Sequence, residues 1–187
     1  MMKDQVKTSL FLITIGVISA ISITYMAQYA YPIIEKNREA ALRQAILTVL
    51  PGANRYETLD EKNNIYRGLN ENNEIAGYAF VGKGGGYQGI IQIIIGVSRD
   101  WQRLTTIAIL ENVETPGLGA EIASKEFRSQ FANLPAEIPI EYILNKLPEK
   151  PNQIQAITGA TISTRAVVNI INNTIKEVKS KIRQATP

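Results

Sequence analysis

Four hydroxyls fall within seven residues at Thr158-Gly159-Ala160-Thr161-Ile162-Ser163-Thr164, directly ahead of a long amphipathic segment. A strand-to-helix turn of this make-up suits an anion. The first turn of a helix has unpaired N–H groups and the positive end of the dipole, and both favour a phosphate. Hydroxyls there can cap the helix and also hydrogen-bond the anion. Ordinary N-capping by Ser163 or Thr164 accounts for one hydroxyl and leaves Thr158-Gly159-Ala160-Thr161 unexplained. A second cluster, Glu114-Thr115-Pro116-Gly117-Leu118-Gly119-Ala120-Glu121, follows a strand-like segment and precedes a helical one. Its simplest account is a Pro-Gly turn with a second glycine for a left-handed residue. It also brings an acid, a hydroxyl and bare backbone to one strand end, a common construction for ligand sites. A third cluster, Gly84-Gly85-Gly86-Tyr87-Gln88-Gly89, satisfies G-x-G-x-x-G. A dinucleotide fingerprint must open a helix. These glycines open the strand Ile90 to Ile95 instead, so Gly82 to Gly89 reads as a flexible loop between strands. Bare backbone there can still approach a ligand closely.

What the chain lacks narrows the chemistry further. Its 187 residues include no cysteine and no histidine. That excludes zinc fingers, thiolate-held iron–sulfur clusters, His- or Cys-ligated haem, disulfides and any triad with a histidine base. No metal site is expected. General acid–base work near neutral pH would fall to retuned Asp, Glu, Lys or Tyr. Redox or group-transfer chemistry would need a cofactor to supply the reactive atoms. At 45% hydrophobic and 20% charged, the chain can bury a proper core. From residue 32 onward, 18 Lys/Arg face 16 Asp/Glu, which leaves no basic patch of the kind that binds nucleic acid.

These clusters must be positioned by elements that the spacing of apolar residues predicts. Ala41, Leu42, Ala45, Ile46, Val49 and Leu50 have helical spacing, and Pro51-Gly52 ends it. Ile65 to Leu69 and Ile75 to Val81 flank an Asn-rich turn and read as a hairpin. Ile90 to Val97 and Leu104 to Leu110 are further strands. Ala123 to Phe131 reads as a helix with Ser124 as its N-cap. Residues 133–152 hold four prolines and a short helix at most. The final helix carries Ala166, Val167, Ile170, Ile171, Ile175, Val178 and Ile182 on one face, with Lys176, Lys179, Lys181 and Arg183 mostly off it. The fold class is α+β: an antiparallel sheet flanked by helices. The triplet Asn172-Asn173-Thr174 fits a glycosylation acceptor, but it falls on this helix and reads as chance.

Ahead of this domain lies a charge-silent segment. Between Lys7 and Glu35, 27 residues carry no charge. The apolar part, Ser9 to Ala30, would span roughly 33 Å as a helix, enough for a hydrocarbon core. Tyr25, Tyr29 and Tyr31 gather where an interfacial belt belongs, and Pro32 marks a break. An uncleaved anchor is preferred to a signal peptide, whose apolar region is shorter. Ser and Thr in the segment are tolerated by bonding to backbone. Organisation is therefore a short tail at 1–8, a transmembrane helix at 9–31, a connecting helix at 32–52 and a domain at 53–187. Lys and Arg flank the helix on both sides, so the positive-inside count does not orient it. A single anchor with a short lead commonly sends the rest of the chain across.

Thr158-Gly159-Ala160-Thr161 resembles the Ser/Thr-Gly-Ala-Thr/Ser motif on which a flavin transferase attaches FMN through a phosphoester to the last hydroxyl. Glu114-Thr115-Pro116-Gly117-Leu118-Gly119 resembles the second signature of the same FMN-binding domain family. Both occur in the family's order behind one N-terminal membrane helix, so the resemblance covers essentially the whole chain. It is to the G subunits of Rnf-type ion-translocating electron-transport complexes, ferredoxin:NAD oxidoreductases. The related C subunits of sodium-pumping NADH:quinone reductases are usually longer. The resemblance implies that Thr161 is esterified to FMN and that Thr158, Gly159, Ala160, Ser163 and Thr164 line the phosphate. Glu114, Thr115, Leu118 and Gly119 would sit near the flavin, with Leu118 packing on the ring. The family's motif usually starts with Asp three residues before the first Thr. Gln155 stands there in this chain, which bears on how efficiently FMN is attached.

The expected function is that of an electron-transfer component with no independent catalysis. Its partners would be other membrane subunits and, for maturation, a flavin transferase. The domain would stand on the extracytoplasmic side of the plasma or inner membrane. The ion path would lie elsewhere, because the membrane helix has no ionisable side chain apart from tyrosines near one end. Three other readings remain at this point: the C subunit of the sodium pump, a stand-alone extracytoplasmic flavin carrier, and a non-redox anchored binding or sensor module.

Overall fold

Helix α1 is continuous from Met2 to Val49 in the computed structural model, which describes residues 2–185 and the side chains of 5–181. The expected break at Pro32 does not occur. Proline removes one backbone donor and crowds the preceding turn, but the strong helix formers Glu35 to Ala45 carry the helix on. Connecting helix and apolar segment are thus one element. The stretch from Gln5 is long and apolar enough to cross a membrane. Leu10, Phe11, Ile13 and Ile21 all stand exposed along it, a surface that only an apolar surrounding would cover. The hydroxyls of Thr14, Ser22 and Thr24 donate to the carbonyls of Leu10, Ile18 and Ala20 at 2.8–2.9 Å, as the composition required.

The chain divides into two compact units between Ala41 and Leu42. The second unit begins with the last turns of α1 and continues into five antiparallel strands: β1 (Arg55–Asp60), β2 (Ile65–Leu69), β3 (Ile75–Gly85), β4 (Ile90–Ser98) and β5 (Leu104–Glu111). They pair in sequence order, as successive hairpins should. The Asn-rich turn between β2 and β3 holds Asn73 at φ +62°, a conformation asparagine tolerates better than most residues. No hydrophobic alternation marks β1, which is a mostly exposed edge strand. After β5 come a 3-10 turn (Gly119–Ala123), the short helix α2 (Lys125–Ser129), strands β6 (Glu141–Ile143) and β7 (Gln153–Gln155), and helix α3 (Thr161–Ala185). Ser124 caps α2 by accepting from Phe127 N–H, as expected. In the proline-rich stretch, β6 pairs in parallel with β7 rather than forming a helix.

Each face of the sheet is covered by a different element. On one face Ile91, Ile93, Ile95 and Val97 of β4 meet Val167, Ile170, Ile171, Ile175 and Val178 of α3 in a single core. Ile182 and Arg183, assigned to α3 from the sequence, lie outside the described side chains. On the other face Ile46, Val49 and Leu50 pack on Ala79, Ile94 and Ala108. Burial on both faces explains why β4 reads as an unbroken apolar run. Each such side chain contributes about 1.5–3 kcal/mol when fully buried.

The glycines expected to form a loop at Gly82–Gly85 are instead the end of β3, paired with Ile93 to Ile90. Their purpose is steric. A Cβ on Gly84 would lie 2.5 Å from Ile170 Cγ1, and one on Gly82 would strike the Thr174 hydroxyl. Helix α3 therefore lies directly on the strand backbone. The acceptor triplet is also accounted for, because Asn172 both accepts from and donates to the backbone of Ile140 at 2.9 Å.

Candidate functional site

Three separate segments converge on one cleft of about 430 Å³. The β3–β4 turn brings Tyr87. The segment after β5 brings Glu114, Thr115, Leu118 and Gly119. The first turn of α3, with the loop before it, brings Gly159, Ala160, Thr161, Ile162 and Ser163. The cleft thus unites two of the sequence clusters and part of the third.

Local chemistry shapes the α3 end. Ala160 N–H closes a turn on Ile157 at 3.0 Å, and Gly159 sits at φ +80°, where a glycine is favoured. Thr164 N–H then donates to the Ala160 carbonyl at 3.0 Å and starts the helix. Neither predicted cap does ordinary capping. Thr164 is fully buried, donating its hydroxyl to Ala160 O and accepting from Ile157 N–H at 3.2 Å. Ser163 gives its hydroxyl to the Glu114 carboxylate. As a result, the N–H groups of Thr161, Ile162 and Ser163 and the hydroxyl of Thr161 make no hydrogen bond among the described residues. The first turn of α3 contains no acidic residue. A free hydroxyl beside three unpaired N–H groups at the positive end of a 25-residue helix suits a phosphate monoester or diester.

Glu114 organises the rest. It is only 5% exposed. One carboxylate oxygen accepts from Tyr87 N–H at 2.9 Å and Gln88 N–H at 3.0 Å, and the other accepts from Ser163. Burial pushes its carboxyl up, but the Ser163 hydroxyl and the N–H groups of Gln88, Tyr87 and Gly89 outweigh burial and hold it below its ordinary value. Gly119 is required by proximity, not by a left-handed conformation as the sequence suggested. A Cβ there would lie 2.6 Å from Ser163 Oγ and 2.7 Å from Glu114 Oε2. The left-handed glycine of this turn is Gly117, at φ +73°.

The remaining candidates are placed as follows. Thr161 is half-buried in the cleft, and Leu118 is exposed along its wall. Thr115 lines it and accepts from Gln88 Nε2 at 2.7 Å. Thr158 is exposed and does not line it, and the buried Thr164 is likewise outside. Thr158 stands in the loop before α3, and the Thr164 hydroxyl is committed to the helix start. Gln155 lines a different groove, with Glu121, Ser124 and Gln130. Its backbone is held on both sides by the Gln130 side chain, at 2.7 and 3.2 Å. Tyr87 and Ile162 are cleft residues that the motifs did not single out. Tyr87 had a signal, as the one aromatic inside the glycine-rich turn.

The donor set fits FMN: an unpaired hydroxyl and N–H groups for the phosphate, and an apolar wall for a ring system. Residues 86–176 match the FMN-binding domain family, and every residue lining the cleft falls within that span. Among relatives, the G subunit of the ion-translocating oxidoreductase complex of Methanosarcina acetivorans is 29% identical over 96% of this chain and 99% of its own length. The G subunit of the proton-translocating ferredoxin:NAD(+) oxidoreductase complex of Clostridium ljungdahlii is 28% identical over 95% and 96%. The Na(+)-translocating counterpart of Acetobacterium woodii is 39% identical over 56% of this chain and 50% of its own. Among solved structures, Shewanella oneidensis NqrC shares the fold with a TM-score of 0.55 at 15% identity, over 74% of this chain and 73% of that one. Residues 86–176 thus match the FMN-binding domain family, and along nearly its whole length the chain is similar to the G subunits of ion-translocating oxidoreductase complexes.

Proposed function

We propose that this chain is the membrane-anchored flavoprotein component of a ferredoxin:NAD oxidoreductase complex that couples electron transfer to ion translocation, with FMN joined to Thr161. One observation carries the reading: the Thr161 hydroxyl is unbonded beside three unpaired N–H groups, in a cleft with an apolar wall. FMN, once bound, supplies one- and two-electron transfer. The chain's own residues do the rest. Thr161 provides the point of attachment. The N–H groups of Thr161, Ile162 and Ser163 receive phosphate oxygens, aided by the helix dipole. Leu118 and Ile162 offer apolar surface to the ring. Glu114 and Gly119 fix the cleft's two sides against each other. Ser163 supports the phosphate side through its backbone, since its hydroxyl is held by Glu114.

Attachment as a phosphoester would take a flavin dinucleotide as donor: Thr161 Oγ would bond to the FMN phosphorus, the pyrophosphate bond would break, and the second nucleotide and the hydroxyl proton would depart. A flavin transferase would perform this step. A tether suits a domain outside the cytoplasm, where dissociated FMN would be lost, because the local concentration no longer depends on the medium. The domain is accordingly placed on the extracytoplasmic side, with other membrane subunits as electron donor and acceptor. The test is intact mass after co-production of the full chain with a flavin transferase. The expected gain is one FMN less one water, absent in Thr161→Ala. A Thr161→Ala chain that still carries covalent FMN would overturn the assignment. Co-purification with several membrane subunits tests the complex, and protease access in oriented vesicles tests sidedness.

A further inference from the structure

The turn that carries Tyr87 is tied down unusually well for a hairpin tip. Gly86 N–H closes on the Gly89 carbonyl at 2.6 Å. Tyr87 and Gln88 N–H both donate to Glu114 Oε1, at 2.9 and 3.0 Å. Gln88 Nε2 reaches Thr115 Oγ1 at 2.7 Å. Glu114 Oε2 is bonded to Ser163, two residues beyond Thr161. A buried carboxylate, shielded from competing water, thereby couples the Tyr87 turn to the first turn of α3. No other side chain among the described residues bonds both segments.

Yet Tyr87 itself is 66% exposed, lining a cleft whose other walls include Leu118 at 47% and Ile162 at 49%. A lone exposed apolar side chain needs no explanation. Three of them, from three elements, around one cleft beside a free hydroxyl form an apolar wall awaiting a flat partner. Tyrosine suits such a place, because its large ring has few rotatable bonds to immobilise and prefers offset stacking or edge contact with another ring.

We propose that Tyr87 positions the flavin by packing against its ring system, and that Glu114 is a positioning residue that holds Tyr87 in register with Thr161. This deepens the FMN reading and rests on it. The full chain, co-produced with a flavin transferase and purified in detergent, is first weighed to count FMN per chain. Flavin emission is then measured per covalently bound FMN. A phenol or indole in contact quenches an excited flavin by lending it one electron, which returns to the ring, so the chain's composition does not change. Tyr87→Leu should raise emission several-fold, and Tyr87→Trp should restore the quenching. Glu114→Ala leaves the ring in the chain but unpins its turn, and should raise emission too. Glu114→Gln retains an acceptor and should not. Flavin-loaded Tyr87→Leu with unchanged emission overturns the proposal, as does a Tyr87→Trp chain as bright as Tyr87→Leu. A parent chain that gains no FMN mass overturns the FMN reading itself, and this proposal with it.

Discussion

Replacing Glu114 by alanine tests the construction of the whole cleft. The substitution removes the acceptor of three hydrogen bonds, from Tyr87 N–H, Gln88 N–H and the Ser163 hydroxyl. A hydrogen bond to a charged group contributes about 1.5–3 kcal/mol net. Tyr87 and Gln88 are exposed residues, so their N–H groups can recover water. Ser163 is 3% exposed and cannot. A loss of about 3 kcal/mol follows, counting Ser163 in full and the turn in part. For a domain of this size that corresponds to a fall in Tm of about 6–12 °C. Glutamine should be far milder. Its carbonyl can serve the turn while its amide donates to a reversed Ser163 hydroxyl, so about 1 kcal/mol is expected. Thermal unfolding of the full chain in detergent, followed by near-UV circular dichroism, measures both. The pH dependence adds a sign. The folded carboxyl lies below its ordinary 4.5, so its stabilisation is complete above that value and is lost as pH falls through the lower, folded one. The parent's advantage over Glu114→Gln should therefore be flat near neutrality and shrink below about pH 4.5. An alanine variant as stable as the parent would refute the reasoning, and so would a gap to glutamine that widens with acid.

Other substitutions probe neighbouring claims. Thr161→Ser keeps the hydroxyl and should still gain FMN by mass, whereas Thr161→Ala should not. Gly159→Ala forces a side chain onto a residue at φ +80° and sets its Cβ 3.2 Å from Leu118 Cδ2. It should cost about 1–2 kcal/mol in thermal unfolding and lower the fraction of chains that acquire FMN. Gly84→Ala should destabilise by about 1–3 kcal/mol through overpacking against Ile170, with its Cβ 2.5 Å from Cγ1. Adding Ile170→Ala should recover part of that loss, read as a non-additive double-mutant cycle in the same melts.

Much of this chain is encoded locally. The charge-free run from Thr8 to Ile34 announces a membrane segment because hydrocarbon excludes charge residue by residue. The apolar stripe of α3 and the Asn-marked hairpin are likewise properties of neighbouring residues, read through periods of 3.6 and 2. The hydroxyl-rich turn at Thr158 to Thr164 stands out as a segment suited to an anion for the same reason. Elements whose cause lies elsewhere were not legible. Strand β1 is polar and exists because β2 offers it an edge. Strands β6 and β7 are three residues each and depend on one another across the chain. Gly82 and Gly84 look like a flexible loop until α3 is laid over them.

Within the cleft the division is sharper. The sequence clusters and the resemblance together pointed to Thr161, Glu114, Leu118 and Gly119, but they could not distribute the hydroxyls among tasks. Tertiary structure did that. Ser163 is claimed by a carboxylate 49 residues away, Thr164 by the start of its own helix, and Thr161 by nothing in the described chain. Tyr87 lines the cleft on a turn whose backbone is bonded to Glu114, 27 residues distant. Backbone preference and burial period are set by near neighbours, whereas the partner of a buried polar group is whichever distant group the packed fold delivers within about 3 Å.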